Sequence, residues 1–458
     1  MQTNSDKMRD KQVLVIGLGR SGIAAVQAML KLGARVSVQD AKSPGEVDSQ
    51  LMAFLKGRDV SCYFGENPPD MSVFDILILS PGVSPQINFI REAQNTGAEI
   101  IGELEIAYRI GLGNYIAITG TNGKTTTTTL VGEIFKKAKK KTYVVGNIGV
   151  AVISKALTAE EDSWLITETS SFQLETTRHF KPVVSAILNL TPDHMDRHEN
   201  MERYGAAKAK VFANQDESQH LIINYDDPQC FALAKDCRAI VVPFSRKRIL
   251  DFGAFVQDGC IVIREASGKI TRLCRADALA IPGTHNLENA LAAAAIAYFA
   301  GLDPEVIAQA LTEFQGVEHR IEFCGQVDGV RFVNDSKGTN PDASIKAVEA
   351  IDGGVILIAG GYDKGSSFEE LIKAFQGKVR HMVLLGKTAL KIKDTAETLG
   401  FENSVIVKDM EEAVKEGFRL AESGDTVLLS PACASWDMYT SFEQRGDHFK
   451  NCVHRLEK

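Results

Sequence analysis

The chain is predicted to form three α/β domains, each built on a mostly parallel sheet covered by helices. Three observations carry this prediction. Strand-length apolar runs alternate with helix-length stretches almost throughout. The 458 residues exceed one ordinary core and suit about three units of roughly 150 residues each. Two glycine loops, about a hundred residues apart, each stand between an apolar strand and a helix, where open α/β sheets place their ligands.

In the first domain, QVLVIG (12–17) reads as a buried strand, SGIAAVQAMLKLG as a helix ending at Gly33, and ARVSVQD as the next strand. FDILILSPGV (74–83) is a further strand, stopped by a Pro-Gly turn. GELEIAYRIGLGN then leads into a new strand, YIAIT, so the first boundary falls between Gly102 and Gly113 and is drawn after residue 106. The second domain, 107–316, carries the strands KTYVVG, SWLITE and VVSAILNL and the helix NLENALAAAAIAYFAG. Within it, residues 238–280 change character: GAFVQDGCIVIREASGKITRLC predicts β-hairpins, a small accessory sheet beside the main one. Near FQGVEHRIEF the chain enters the third domain, 317–458, with strands RFVND, GVILIAGG, HMVLLG and TVLLSP. No repeat of solenoid period is present.

Composition excludes several function classes. Apolar residues make up 44% and charged residues 24%, the balance of a folded globular protein. No apolar run reaches the roughly 20 residues of a bilayer span, and the polar opening MQTNSDKMRDKQ does not read as a secretory signal. A net charge of −8, from 51 basic and 59 acidic residues, argues against a nucleic-acid partner. The cysteines at 62, 230, 237, 260, 274, 324, 433 and 452 form no Cys-x-x-Cys pair and are expected as reduced thiols. A cytoplasmic enzyme acting on small molecules, with no membrane partner, is expected.

The first loop, Gly17-Leu18-Gly19-Arg20-Ser21-Gly22, fits G-x-G-x-x-G, and Asp40 ends the following strand where a ribose-binding acid is expected. Such a loop can hold the diphosphate of NAD or of another nucleotide, and Gly22 can equally serve close packing of helix on strand. The second loop, Gly120-Thr121-Asn122-Gly123-Lys124-Thr125, is a shortened relative of G-x-x-x-x-G-K-[ST]. Its consecutive N–H groups form an anion nest, Lys124 can reach the β and γ phosphates, and the Thr125 hydroxyl can ligate Mg²⁺. An acid is needed nearby to position that ion. SWLITETSSF places Glu168 at the end of a strand, followed by Ser170 and Ser171. SAILNLTPDHMDRH places Asp193, His194 and Asp196 past the end of another. His194 and His198 have the spacing of a helical zinc pair, but no third soft ligand is near and zinc is discounted.

With GTNGKTT, LNLTPDHMDRH, HNLENALAA and NDSKGTN in this order, the chain resembles the Mur ligase family, ATP-dependent amide-bond formers of peptidoglycan precursor synthesis. SPGV (80–83), TETSSFQLE (167–175) and SPACASWDM (430–438) resemble its D-glutamate-adding branch. The resemblance implies a Rossmann-like first domain that binds UDP-N-acetylmuramoyl-L-alanine through Gly19, Arg20, Ser21, Asp40, Lys42, Ser80 and Gly82, with Asn147 and Ser170 from the central domain. It implies ATP on Gly120, Thr121, Asn122, Gly123, Lys124, Thr125 and Thr126, with Asn289, Arg320 and Asp335. Two Mg²⁺ ions are implied, the first on Thr125 and the second on Glu168 and His194. Lys208 matches a lysine carried as a carbamate, formed with CO₂ and able to hold Mg²⁺, although as a sequence feature it reads as a solvated helical lysine. Lys124, Glu168, His194 and Lys208 are the implied catalytic set. A Rossmann-like third domain would hold D-glutamate through Lys337, Thr339, Lys364, Ser435 and Phe442, with Trp436 as packing. The implied reaction phosphorylates a substrate carboxylate and captures the acyl phosphate with the amine of D-glutamate, in a monomer. Another Mur-type or folylpolyglutamate-type ligase, or an ATP-gated binding protein, stays open as an alternative.

Overall fold

A computed structural model describes residues 8–281, 283–362 and 365–456. It divides into two compact units. One comprises Met1–Leu190, Asn200–Arg275 and Ala290–Leu311; the other comprises Thr191–Glu199, Ala276–Asn289 and Thr312–Lys458.

The first unit holds two sheets. The amino-terminal sheet contains β1 (Gln12–Ile16), β2 (Arg35–Asp40), β3 (Ser61–Phe64), β4 (Ile76–Leu79) and β5 (Glu99–Gly102), all parallel in the order β3-β2-β1-β4-β5. Val13, Leu14, Val15 and Ile16 are buried because both faces of β1 are covered. The helix Arg20–Lys31 buries Gly22, Ala25, Val26, Ala28 and Met29, an i, i+3, i+4 stripe, and the chain leaves it through Gly33 at φ +79°. Strand order reverses between β1 and β4, so the loops after them open on one crevice.

The central sheet contains β6 (Asn114–Thr119), β7 (Thr142–Gly146), β8 (Trp164–Glu168), β9 (Val184–Ile187), β10 (His220–Asn224), β11 (Ile240–Ser245), β12 (Gly253–Gln257), β13 (Cys260–Arg264) and β14 (Ile270–Arg275). Its order is β14-β13-β12-β11-β10-β9-β6-β8-β7. The expected hairpins are β12–β14, antiparallel, and a short parallel pairing of β12 with β11 makes them continuous with the main sheet. β6 lies between β8 and β9, in parallel with both, which brings three strand ends together.

The second unit carries β15 (Glu322–Val327), β16 (Val330–Asn334), β17 (Val355–Ala359), β18 (Val379–Leu384), β19 (Ser404–Ile406) and β20 (Thr426–Leu429), ordered β15-β16-β20-β17-β18-β19. Only the edge pair β15–β16 is antiparallel. Among the described residues no helix is long and apolar enough to cross a membrane.

Candidate active site

The loop after β6 is shaped by two glycines. Gly120 has φ +147°, and a Cβ there would sit 3.0 Å from the Leu188 side chain; Gly123 has φ +81° and starts the helix Lys124–Lys137. Asn189, just past β9, accepts from the amides of Thr121 (3.0 Å) and Asn122 (2.8 Å) and donates to the Asn122 carbonyl (3.1 Å). Those two amides are therefore committed to bracing the loop, and the anion nest narrows to the first turn of the helix. No side chain caps that turn, so its N–H groups and dipole suit a phosphate. Lys124 Nζ curls back to donate to the carbonyls of Gly120 (2.9 Å) and Thr121 (2.7 Å). Thr126 is buried in the same turn.

Glu168, 1% exposed at the end of β8, accepts the Thr125 hydroxyl on Oε2 and the Asn147 side-chain amide on Oε1, both at 2.8 Å. Lys208, in the helix Met201–Ala209, is 1% exposed. Its Nζ donates to the Gly120 carbonyl at 2.8 Å and lies 4.4 Å from the centre of the Tyr204 ring. The solvated lysine read from the sequence is thus buried against the phosphate loop. These groups suit ATP and a divalent cation. A hydroxyl and an acid share one bond at the foot of the helix, and hard oxygen donors are what Mg²⁺ selects.

Across the crevice, Gly22 is fixed by packing: a Cβ there would lie 1.9 Å from the Gly17 carbonyl oxygen. Nothing lies within 4 Å of the Cβ positions of Gly19 and Gly82, while Ser21 is half-buried and Lys42 exposed. Ser80 donates to the Gly17 carbonyl at 2.7 Å, and Asp40 accepts the amides of Leu18 (2.7 Å) and Lys42 (3.0 Å). Asp40 thus braces the glycine loop with Oδ2 and its own following turn with Oδ1. Arg20 Nη2 donates to the Asn147 carbonyl at 3.3 Å, and Ser170 caps the helix Ser171–Glu175 through a reciprocal bond with Gln173.

In the second unit, Asp335 follows β16 and is wholly buried. Oδ2 accepts the Ser430 hydroxyl (2.7 Å), Oδ1 has no hydrogen-bond partner, and Arg320 lies 3.7 Å away. Burial pushes its carboxyl up to about 6 against the pull of Arg320 and Ser430. Arg320 also lines a cavity of about 620 Å³ beside Phe323 and Arg331, a volume within the range of small-molecule sites. Asn289 donates to Asn286 at 3.1 Å, both buried in the helix Thr284–Phe299. His194, at φ +55°, stands half-exposed with Asp193 3.7 Å from Nε2.

Lys337 Nζ lies 5.1 Å from the Phe442 ring centre, and Thr339 precedes Asn340, which caps the helix Pro341–Ala350. Ser435 is buried. Lys364 lies outside the described residues. Trp436, expected as packing, is instead 64% exposed and leans on Tyr362 with ring centres 5.7 Å apart.

Asn189 and Arg445 were not singled out from the sequence. Asn189 was visible only as a polar residue ending an apolar run. Arg445, buried in the helix Phe442–Leu456, donates to Ser336 Oγ (3.0 Å), the Ser336 carbonyl (2.7 Å) and the Cys433 carbonyl (3.1 Å). It ties together the NDSKGTN and SPACAS loops. Burial lowers its guanidinium to about 10.

A phosphate loop with a hydroxyl held on a neighbouring strand's acid, in a chain that also carries two further mostly parallel sheets, defines a nucleotide-dependent P-loop enzyme. The chain belongs to the Mur ligase family. Residues 11–102 match the MurD-like amino-terminal domain, 118–297 the Mur ligase middle domain, and 319–433 the Mur ligase glutamate ligase domain. It is 50% identical over 454 residues to UDP-N-acetylmuramoylalanine–D-glutamate ligase of Alkaliphilus oremlandii, covering 98% of this chain and all of the relative. The same-named protein of Clostridioides difficile is 48% identical over 98% of this chain and all of its own length. UDP-N-acetylmuramate–alanine ligase of Thermotoga maritima shares the fold, with a TM-score of 0.61 at 19% identity over 98% of this chain and all of that one. Family membership implies ATP and Mg²⁺, for which the loop, Thr125 and Glu168 supply suitable groups.

Proposed function

We propose that the chain joins D-glutamate to UDP-N-acetylmuramoyl-L-alanine at the expense of ATP, in cytoplasmic peptidoglycan precursor synthesis. One observation carries the reading: end-to-end identity of 50% to a protein named for that reaction. Residues 1–106 would hold the sugar nucleotide, 107–316 ATP, and 317–458 the amino acid.

A carboxylate resists attack by an amine until one oxygen becomes a leaving group. In the proposed sequence the substrate carboxylate attacks the γ-phosphorus of ATP and ADP departs. The amine of D-glutamate then adds to the acyl carbon and loses a proton, and phosphate leaves with one former carboxylate oxygen. Lys124 is poised to exchange its two loop carbonyls for phosphate oxygens, while the helix first turn orients the triphosphate. Bound Mg²⁺ supplies neutralisation of phosphate charge. Thr125 and Glu168 are its candidate ligands, and the motif match adds His194. Lys208 is the candidate carbamate: its amine would add CO₂ and release a proton, converting a buried cation into an anion beside the loop. Lys337, Thr339, Ser435 and Phe442 are the candidate D-glutamate contacts, with Lys364 from the motif match alone.

Purified protein should release phosphate only when UDP-N-acetylmuramoyl-L-alanine and D-glutamate are both present. Carboxyl ¹⁸O from the sugar nucleotide should appear in that phosphate. Equal turnover with L-glutamate would defeat the amino-acid assignment, and absence of label would defeat the acyl phosphate.

A further inference from the structure

Two acidic side chains of the helix Glu103–Ile110 reach from the end of the amino-terminal sheet into the central domain. Glu105 accepts the consecutive amides of Arg178 (2.9 Å), His179 (3.0 Å) and Phe180 (3.1 Å), and Arg109 Nε at 2.6 Å. Its charge is matched, and it reads as a structural latch. Glu103 is different. Oε1 accepts the Ile153 amide at 2.6 Å, whereas Oε2 is buried with no hydrogen-bond partner. Desolvation pushes this carboxyl up to about 7, opposed by the Ile153 amide and the charge of Arg20. An apolar residue would pack there at lower cost, so adhesion between domains does not account for it.

The segment it grips runs straight to the site. Ile153 lies in the short helix Val152–Ala156, which packs on the helices Arg20–Lys31 and Glu103–Ile110, and it closes a strap, 146–153. At the strap's other end Asn147 donates to Glu168 twice, through its backbone amide to the carbonyl (2.9 Å) and through its side chain to Oε1 (2.8 Å). At that same residue, Arg20 of the first glycine loop donates to the Asn147 carbonyl. One short segment therefore touches the sugar-nucleotide loop and the acid beside the phosphate loop, and Glu103 anchors its far end.

We propose that Glu103 is a positioning residue that sets the register between the sugar-nucleotide loop and Glu168 through the strap 146–153. The inference rests on the proposed ligase reading. The carboxylate to be phosphorylated hangs from a nucleotide held by one domain and must meet ATP held by another, and small misplacements of reacting groups are costly in rate.

The test uses the full-length protein with E103Q, which keeps shape and removes charge, and E103D, which keeps charge. E103Q should raise KM for UDP-N-acetylmuramoyl-L-alanine by on the order of tenfold. KM for ATP and D-glutamate should stay within about twofold, with E103D restoring much of the loss. Amide hydrogen exchange should quicken across 147–153 and stay unchanged at 178–180. A uniform rise in all three KM values, or faster exchange with unaltered kinetics, would overturn the proposal. Calorimetric titration with UDP alone separates the two ideas. If wild type never turns over, the ligase reading falls, while weaker UDP binding by E103Q still supports the strap and equal binding refutes it.

Discussion

The two glycine loops of the first unit follow the same strand-loop-helix plan yet are built for different work. In the first, glycine solves an internal packing problem at Gly22, one oxygen of Asp40 and the Ser80 hydroxyl bond the loop's own backbone, and the one cation, Arg20, is exposed. In the second, an amine, a hydroxyl, a carboxylate and a second, fully buried lysine crowd within hydrogen-bonding reach of Gly120 and its neighbours. A loop that only holds a diphosphate needs shape. On the proposed reading the second loop serves phosphoryl transfer, which also needs charge that can be reassigned during the reaction.

Lys124→Ala breaks that contrast most severely. Turnover should fall by about 10³-fold, the scale of losing one preorganised charge-stabilising group. Binding of the sugar nucleotide and the melting temperature should hold near wild type, because the ammonium's bonds to Gly120 and Thr121 lie within the loop itself. Near-normal turnover would remove Lys124 from the chemistry. Lys208→Ala follows, with a loss of about 10²-fold that acetate or formate partly restores. ¹³CO₂ should give wild type a carbamate resonance that the variant lacks. A variant with unchanged kinetics would return Lys208 to a structural role.

What the sequence made legible follows from what periodicity reports. Buried runs such as QVLVI and VILIA are continuous because both sheet faces are covered, and they appear as β1 and β17. The short, partly exposed β3 and β19 carry no such signal. Motifs located the phosphate loop and Glu168, whose partners are near in the fold and fixed in type. Asn189, Glu103 and Arg445 were not legible as working residues, since each gains its role from a carbonyl or amide far along the chain. Trp436 was misread for the same reason, and Lys208 was singled out by its motif match alone: helical or loop position does not say whether a side chain meets solvent or another element.

Glu103→Gln sharpens the comparison by testing the segment that joins the loops. The folded-state carboxyl is raised from 4.5 to about 7. Between those values the native state keeps a proton that the unfolded chain sheds, so wild type loses stability as pH rises through the window and the loss is complete above it. Arg20 faces the group and limits the shift, while Tyr115 on β6 feels its charge. Urea unfolding from pH 5 to 8 should show wild type losing on the order of 3 kcal/mol relative to E103Q. Parallel curves would mean that the carboxyl stays ionised throughout.

The smallest effect separates packing from binding within the first loop. Gly22→Ala places a methyl against the Gly17 carbonyl oxygen, a backbone atom that cannot swing aside, and should cost about 2 kcal/mol of stability. Gly19→Ala meets nothing within 4 Å, and its φ of −73° suits alanine, so stability should change by less than about 0.5 kcal/mol. On the proposed reading its added methyl would stand where a diphosphate approaches the backbone, so KM for the sugar nucleotide should rise severalfold with KM for ATP unchanged. A Gly19 variant that loses stability but binds normally would show that this loop, too, is glycine-rich only for packing.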